Sequence, residues 1–362
     1  MELYYMLFYT REVLKNMEKY KRYLVPLFFL VLSIIGIIGA GVSMNFVLSE
    51  LYARFVRNGI FVIALLIPIM AGMGINFAIK VGALAAHTAL IIIADNQIYG
   101  LKGFLLAILI STVLSVILGN IIGYILNKAK GKEMITSIVI GFLATNLYQL
   151  LFMVGYGTII KAKNSEIMLS RGIGLRNNID LAEFKKLFDG ILTIRVGDTN
   201  ESLAPVIIIV VVALLVYYIS GSRIGHHIKA VGGNINTSQA VGIDTNRVRR
   251  IAIVISTVLA SLGQIMYIQN IGMLNIYTDH LNIDIFSAAA LLVGGATLKN
   301  ANIRNAFIGV LLFHTLFIVS PLAGQNLFKH AALGEYFRSF LAYGTIVFAF
   351  IMNLRYESES KL

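Results

Sequence analysis

The stretch Gly103-Phe-Leu-Leu-Ala-Ile-Leu-Ile-Ser-Thr-Val-Leu-Ser-Val-Ile-Leu-Gly-Asn-Ile-Ile-Gly-Tyr-Ile-Leu126 runs for 24 residues without a charge. A helix rises about 1.5 Å per residue and the hydrocarbon core of a bilayer is roughly 30 Å thick, so a run of this length reads as one membrane crossing. Comparable apolar segments occupy Leu24 to Leu48, Gly59 to Ile79, Val81 to Ala94, Met134 to Ile160, Leu203 to Ser220, Ile251 to Gly272, Ile285 to Leu298, Ala306 to Pro321 and Phe337 to Asn353. The chain is 58% hydrophobic and 13% charged, against about a quarter charged in ordinary soluble domains. The expected fold is all-α: a polytopic integral membrane protein of about ten transmembrane or re-entrant helices. The lipid bilayer is its solvent.

Two segments, Val81 to Ala94 and Ile285 to Leu298, are too short to cross straight and read as broken or re-entrant helices. If all ten cross, both termini share one side. With the N-terminus inside, residues 1–23, 128–133, 222–250, 299–305 and 354–362 carry 17 Lys and Arg, whereas the short outer loops 49–58, 95–102 and 321–338 carry 5. Basic residues are retained on the cytoplasmic side, so this orientation is expected, in the cytoplasmic (inner) membrane with both termini cytoplasmic. Residues 1–23 read as an amphipathic surface segment, 24–353 as the membrane domain and 354–362 as a cytoplasmic tail. The first apolar run has no cleavage motif and reads as a retained anchor. The loop 161–202 is expected outside, with Asp180 capping a helix whose apolar stripe is Leu181, Phe184, Leu187, Phe188 and Ile191. Its seven basic and six acidic residues make it nearly neutral.

A net charge of +12 would raise nucleic acid as a partner in a soluble protein. Here cytoplasmic loops account for it, and no nucleic-acid partner is expected. Absence of cysteine excludes disulfides and thiolate sites. No phosphate-binding Gly-x-x-x-x-Gly-Lys-Ser/Thr loop and no catalytic or metal-ligating motif occurs, so no catalytic residue, metal or bound cofactor is expected.

The functional stretch is Ser222-Arg-Ile-Gly-His-His-Ile-Lys-Ala-Val-Gly-Gly-Asn-Ile-Asn-Thr-Ser-Gln-Ala-Val-Gly-Ile-Asp-Thr-Asn-Arg-Val-Arg-Arg250. Asn236 stands three residues before Gln239 as a variant capping box and Gly242 follows as a stop, which predicts a short helix from Thr237 to Val241. It would present Ala240, Val241 and Ile243 as an apolar knob, a docking surface on a basic loop. At these residues the chain resembles the permeases of ABC importers for branched-chain amino acids, ribose-type monosaccharides and nucleosides. Lys229, Ala230, Gly232, Asn234, Ala240, Gly242 and Ile243 match the family's cytoplasmic loop, and the likeness continues through Ile251 to Gln264 and Ala290 to Ala296. The resemblance implies an ABC-importer permease fold in which Asn234, Thr237, Gln239, Ala240, Val241, Gly242 and Ile243 form the coupling helix. It further implies a separate ATP-binding subunit that holds ATP and Mg, a solute-binding protein outside, and a second permease, identical or homologous.

A second matching feature is the glycine-rich Pro68-Ile-Met-Ala-Gly-Met-Gly-Ile-Asn-Phe-Ala-Ile-Lys-Val-Gly82. Asn76 aligns with the family's asparagine, while Lys80 stands where the family often has Glu. Pro68, Gly72 and Gly74 allow a helix to break at membrane depth, exposing Asn76 to a polar cavity; close helix packing is the competing use of the glycines. Lys80 is an ionisable group between apolar segments, either functional or snorkelling. Thr145 and Gln149, and Thr257, Ser261 and Gln264, fall on helical faces that either line a solute path or hold helices together; Tyr148 and Tyr267 can stack on a base or sugar. The expected substrate path is Asn76, Lys80, Thr145, Gln149, Ser261, Gln264 and Tyr267. Its neutral amides and hydroxyls, without paired charges for a zwitterion, favour a nucleoside or monosaccharide over a branched-chain amino acid. The alternative function is an ion-coupled secondary transporter, disfavoured because the spans lack buried Asp or Glu.

Overall fold

A computed structural model describes residues 24–170 and 172–359. The amphipathic segment expected at 1–23 lies outside the described residues. Ten helical segments correspond to the ten apolar runs, with shifted ends. They are α1 (Leu24–Ala40), α2 (Met44–Ala64) continued by α3 (Leu66–Met70), α4 (Lys80–Asp95), α5 (Gly100–Lys128) and α6 (Glu133–Leu150). After a short helix α7 (Ala182–Lys186) come α8 (Ala204–Gly221), the loop helices α9 (Arg223–Gly233) and α10 (Ile235–Ala240), then α11 (Thr245–Ile271), α12 (Ile283–Val293), α13 (Ile303–Phe328) and α14 (Ala331–Glu359). Seven described helices are long and apolar enough to cross a membrane, and α1 and α12 are shorter apolar helices.

Four boundaries depart from the sequence reading. The first apolar run does not continue to Leu48: Gly41 turns the chain at φ +62°, and the Ser43 hydroxyl accepts from Phe46 N at 3.2 Å to start α2. Residues 49–58, expected as an outer loop, therefore lie inside α2. Its Arg57 Nε donates to Asn270 Oδ1 at 2.6 Å, and Arg54 lies 5.0 Å from the Phe317 ring. Pro321 sits within α13 instead of ending it, and α14 runs to Glu359, so most of the expected tail is helical.

In the long loop, Asp180 Oδ1 accepts from Ala182 N at 2.8 Å. The helix that follows is only α7, because Gly190 at φ +84° gives way to a hairpin of β2 (Thr193–Val196) and β3 (Thr199–Ser202). Of the expected stripe, Leu181 and Phe184 are buried, Leu187 and Phe188 half-buried, and Ile191 exposed. A second ribbon pairs β1 (Asn178–Asp180) with β4 (Met273–Asn275) antiparallel, tying this loop to the end of α11.

The bundle is organised around α11, which packs on α5, α2, α4, α3 and α9, while α13 joins α12 and α14 to α2. Helix α4 is buried over 89% of its apolar window, α5, α6 and α8 over 28% each, so α4 is interior and the others border lipid. On α5 the buried side carries small residues at every fourth position: Gly103, Ala107, Ser111, Ser115, Gly119 and Gly123. Lipid tails are as apolar as leucine, so helices associate through close packing of small residues. A Cβ on Gly119 would stand 3.0 Å from Val254 Cα and one on Gly123 3.0 Å from Arg250 Cα, so these glycines set the distance to α11. Overfilling the seam with Gly119→Leu should lower stability by about 1–3 kcal/mol in thermal unfolding in detergent. Gly221→Ala, at a glycine whose Cβ would meet nothing within 4 Å, should leave it unchanged.

Candidate functional site

Two non-helical breaks enter the bundle from opposite ends. The first follows α3, where Gly72 (φ +71°) and Gly74 (φ +67°) adopt left-handed backbone that a side chain resists. Met73 N donates to Pro68 O at 3.0 Å and Phe77 N to Ser137 Oγ at 3.1 Å. The Asn76 side chain accepts from Ala78 N at 3.0 Å and starts the turn Phe77–Ile79 that leads into α4. The second break follows α11. Gly272 (φ +79°) ends that helix, β4 pairs with β1, and residues 276–282 descend to Asn282 (φ +61°), where α12 begins. Asp279 Oδ2 accepts from Asn275 N at 2.6 Å and fixes this turn.

The breaks meet at an ion pair. Lys80 Nζ lies 2.8 Å from Asp284 Oδ2, with side chains 8% and 3% exposed. At about 1.5 Å per residue, Lys80 is roughly 20 Å along α4 from Asp95, and its buried ammonium is held by Asp284 inside the protein. Its stem runs along Gly141 on α6, where a Cβ would stand 3.1 Å from Lys80 Cδ. Its ammonium also lies 5.1 Å from the Phe142 ring centroid.

A polar and aromatic cluster adjoins along α4. Gln264 Nε2 donates to His87 Nε2 at 2.7 Å, which leaves the ring proton on Nδ1, 3.3 Å from the Tyr148 hydroxyl. The His280 ring stands 5.4 Å from those of His87 and Tyr148, and Phe152 stands 4.7 Å from Tyr148. Among the described residues, no partner reaches the buried ring nitrogens of His280, Gln264 Oε1, Thr145 Oγ1, Asn76 Nδ2 or Asp284 Oδ1. In hydrocarbon each unpaired polar group costs several kcal/mol, so such groups mark a place where a polar solute or water belongs.

Of the seven residues expected on the path, Asn76, Lys80, Thr145 and Gln264 are buried in this interior. Ser261 is buried in the seam between α4 and α11 and donates to Val258 O of its own helix at 2.8 Å. A Cβ on Gly82 would collide there with the Thr257 carbonyl, so the faces of Thr257 and Ser261 pack helix on helix. Gln149 is half-exposed on another side of α6, whose buried face is Ser137, Gly141, Thr145 and Tyr148. Tyr267 is half-buried, near Arg54, Arg57 and Asp279. His87, His280 and Asp284 were missed. A lone histidine in the run Val81 to Ala94 was the available signal for the first. Asp284 fell one residue outside a span taken to begin at Ile285. The statement that the spans hold no buried acid is therefore wrong, since Asp284 and Asp95 are 2% and 6% exposed. So is the statement that no paired charges line the path.

At the end of the bundle that carries Lys128 and Glu133, α9 and α10 form a protrusion. The cap of α10 is Asn234, whose Oδ1 accepts from Thr237 N at 3.0 Å, and not Asn236. The helix consequently begins two residues earlier than predicted. Thr237, Gln239, Ala240 and Gly242 are exposed, Val241 is 70% exposed, and Ile243 is half-buried. Gln239 Nε2 donates to Thr245 Oγ1 at 3.0 Å, bracing the tip on α11. Arg249 pairs with Glu133 beneath it. An open cleft of about 460 Å³ at the corner of α9 and α10 is lined also by Gly72 and Lys130.

The sequence profile of the family described as branched-chain amino acid transport system / permease component matches residues 47–352. The chain belongs to this family. It is a multi-pass membrane protein of this permease family. A similar protein is the probable ABC transporter permease protein YphD of Escherichia coli (strain K12), 30% identical over 155 residues, which cover 42% of this chain and 44% of YphD. The chain thus matches less than half the length of that relative. No solved structure matches.

The Cys-free chain permits a direct map of the interior. Single cysteines at Thr145 and Gln264 should react with a water-soluble thiol reagent during turnover about tenfold faster than cysteines at Leu109 and Val113 on the lipid side of α5, where no thiolate forms. Equal rates at all four positions would contradict a polar path here.

Proposed function

We propose that this permease imports a small polar solute with energy from a separate ATPase, as part of a binding-protein-dependent importer. The supporting observation is the exposed protrusion at Ala240, Val241 and Gly242, whose supporting helix α9 touches the break that leads to Asn76 and Lys80. Asn234, Thr237, Gln239, Ala240, Val241, Gly242 and Ile243 act as the coupling helix on an ATP-binding subunit, which alone holds ATP and Mg. The protrusion faces the cytoplasm of a cell whose inner membrane holds the chain, with both termini on that side. A second permease, identical or homologous, completes the path.

A solute-binding protein docks on the opposite end. There, Lys161, Lys163 and Arg176 line an open cleft of about 530 Å³, while Asp180, Glu183, Asp189, Asp198 and Glu201 occupy the later part of the same loop. The solute is a nucleoside or a monosaccharide ahead of a branched-chain amino acid. Lys80 and Asp284 neutralise each other, leaving unpaired amide, imidazole and hydroxyl groups beside aromatic rings, which suits a neutral hydroxyl-bearing molecule.

Val241→Arg should abolish co-purification with the ATPase and reduce uptake to background while the protein stays at wild-type level in the membrane. Unchanged co-purification would refute the coupling role. Binding of radiolabelled nucleosides and sugars by the cognate binding protein identifies the solute. The second reading, an ion-coupled secondary transporter, is favoured by one observation, the buried acid Asp284 in the path. Collapse of the ion gradient at constant ATP separates the two: uptake by the importer continues, and uptake by the secondary transporter stops.

A further inference from the structure

Lys80 and Asp284 occupy matching positions on two helices that start inside the bundle. Lys80 is the first residue of α4 after the break entered from the protrusion end, and Asp284 is the second residue of α12 after the break entered from the opposite end. A carboxylate at a helix N-terminus is stabilised by the helix dipole, whereas an ammonium there is opposed by it. Lys80 depends on Asp284 to hold its place. Gly141 leaves the slot its stem needs. A buried ion pair is strongly held when closed, and each partner is strongly penalised when left alone, so the arrangement has discrete states instead of a continuum.

The pair also lies in a continuous line of contacts through the molecule. From the exposed tip of α10 the line passes to α9, which packs on α3 and α11. On α9, Gly232 meets Gly72 with no side chain between the backbones; a Cβ on Gly72 would stand 2.8 Å from Gly232 Cα. From Gly72 the chain runs through Asn76 to Lys80, crosses to Asp284, and returns through residues 276–282 to Asn275, which is paired with Asn178 in the external loop.

We propose that the Lys80–Asp284 pair is the latch through which the protrusion and the external loop sense each other. Closed, it holds the two breaks together across the polar cluster; opened, it lets α4 and α12 separate. The two side chains are positioning residues that transmit motion. This inference rests on the reading of the chain as an ATP-driven importer subunit.

The test uses the complete complex, with ATPase and binding protein, in proteoliposomes, and reads ATP hydrolysis with and without solute-loaded binding protein. Lys80→Met and Asp284→Asn should each lower the stimulation, read as the ratio of hydrolysis with to hydrolysis without loaded binding protein in the same preparation, about tenfold, a coupling loss of the usual allosteric size. Lys80→Arg, which keeps the pair, should retain stimulation, as should the exchanged chain carrying Lys80→Asp with Asp284→Lys. Wild-type stimulation in both single variants would overturn the latch. If a single variant fails to reach the membrane, the exchanged chain decides: return of both membrane level and stimulation supports the latch, and any lesser recovery overturns it. A wild-type complex whose hydrolysis ignores the loaded binding protein would overturn the importer reading itself, and the latch with it.

Discussion

Inside hydrocarbon a peptide group has no water to bond, so every N–H and C=O that leaves a helix must find a partner within the protein. This constraint governs the placement of both breaks. The first is tolerable because Ser137 accepts from Phe77 N and Pro68 O accepts from Met73 N. Beyond Gly72, which is exposed beside Gly232 of α9, it is also enclosed, since Gly74 and the turn Phe77–Ile79 are buried against α6, α11 and α12. The second is tolerable because Asp279 closes its turn and the β1–β4 ribbon takes up the backbone groups at its mouth. Neither break could face lipid. The bundle therefore packs around their buried residues, Met73 to Ile79 in the first and Ile276 and His280 in the second, with α11 and α4 inside and α5, α6 and α8 outside.

Enclosing the breaks brings polar side chains into a place where solvation is weak. Most are paired: Lys80 with Asp284, Gln264 with His87, and Asp95 with the amides of Lys163 and Asn164 and the Tyr156 hydroxyl. Those left unpaired near the breaks include His280, Gln264 and Asn76, while others, such as Ser115, Ser256 and His314, lie elsewhere among the described residues. A membrane protein that only needed stability would fill those positions with apolar residues, because a satisfied network seldom outperforms good packing. Their presence in the interior fits the proposed conduit for a polar molecule.

Much of this was legible in the linear chain. Ten apolar runs announce ten helical segments because length and hydropathy are local properties that the bilayer enforces directly. Gly72, Gly74 and Pro68 announce the first break for the same local reason. The matched residues of the loop 222–250 point to the family that the profile match shows. The misreadings share one cause. A boundary drawn at the last apolar residue treats every polar neighbour as outside, so Arg54, Arg57 and Asp284 were assigned to loops. Burial of such a residue depends on a partner from a distant helix, and distance in sequence hides the partner.

Composition and periodicity by themselves determined that the chain lives in a bilayer, that about ten helical segments build it, and where one helix must break. They did so because a hydrocarbon solvent leaves the backbone almost no choice. Only the tertiary structure decided which helices are interior, that Ile276 and His280 turn inward, and that Lys80 meets Asp284, 204 positions further along the sequence. Those outcomes follow from side-chain complementarity between remote segments: the slot at Gly141, the seam at Gly82 and Gly119, and the backbone contact of Gly72 with Gly232. No single segment contains that information.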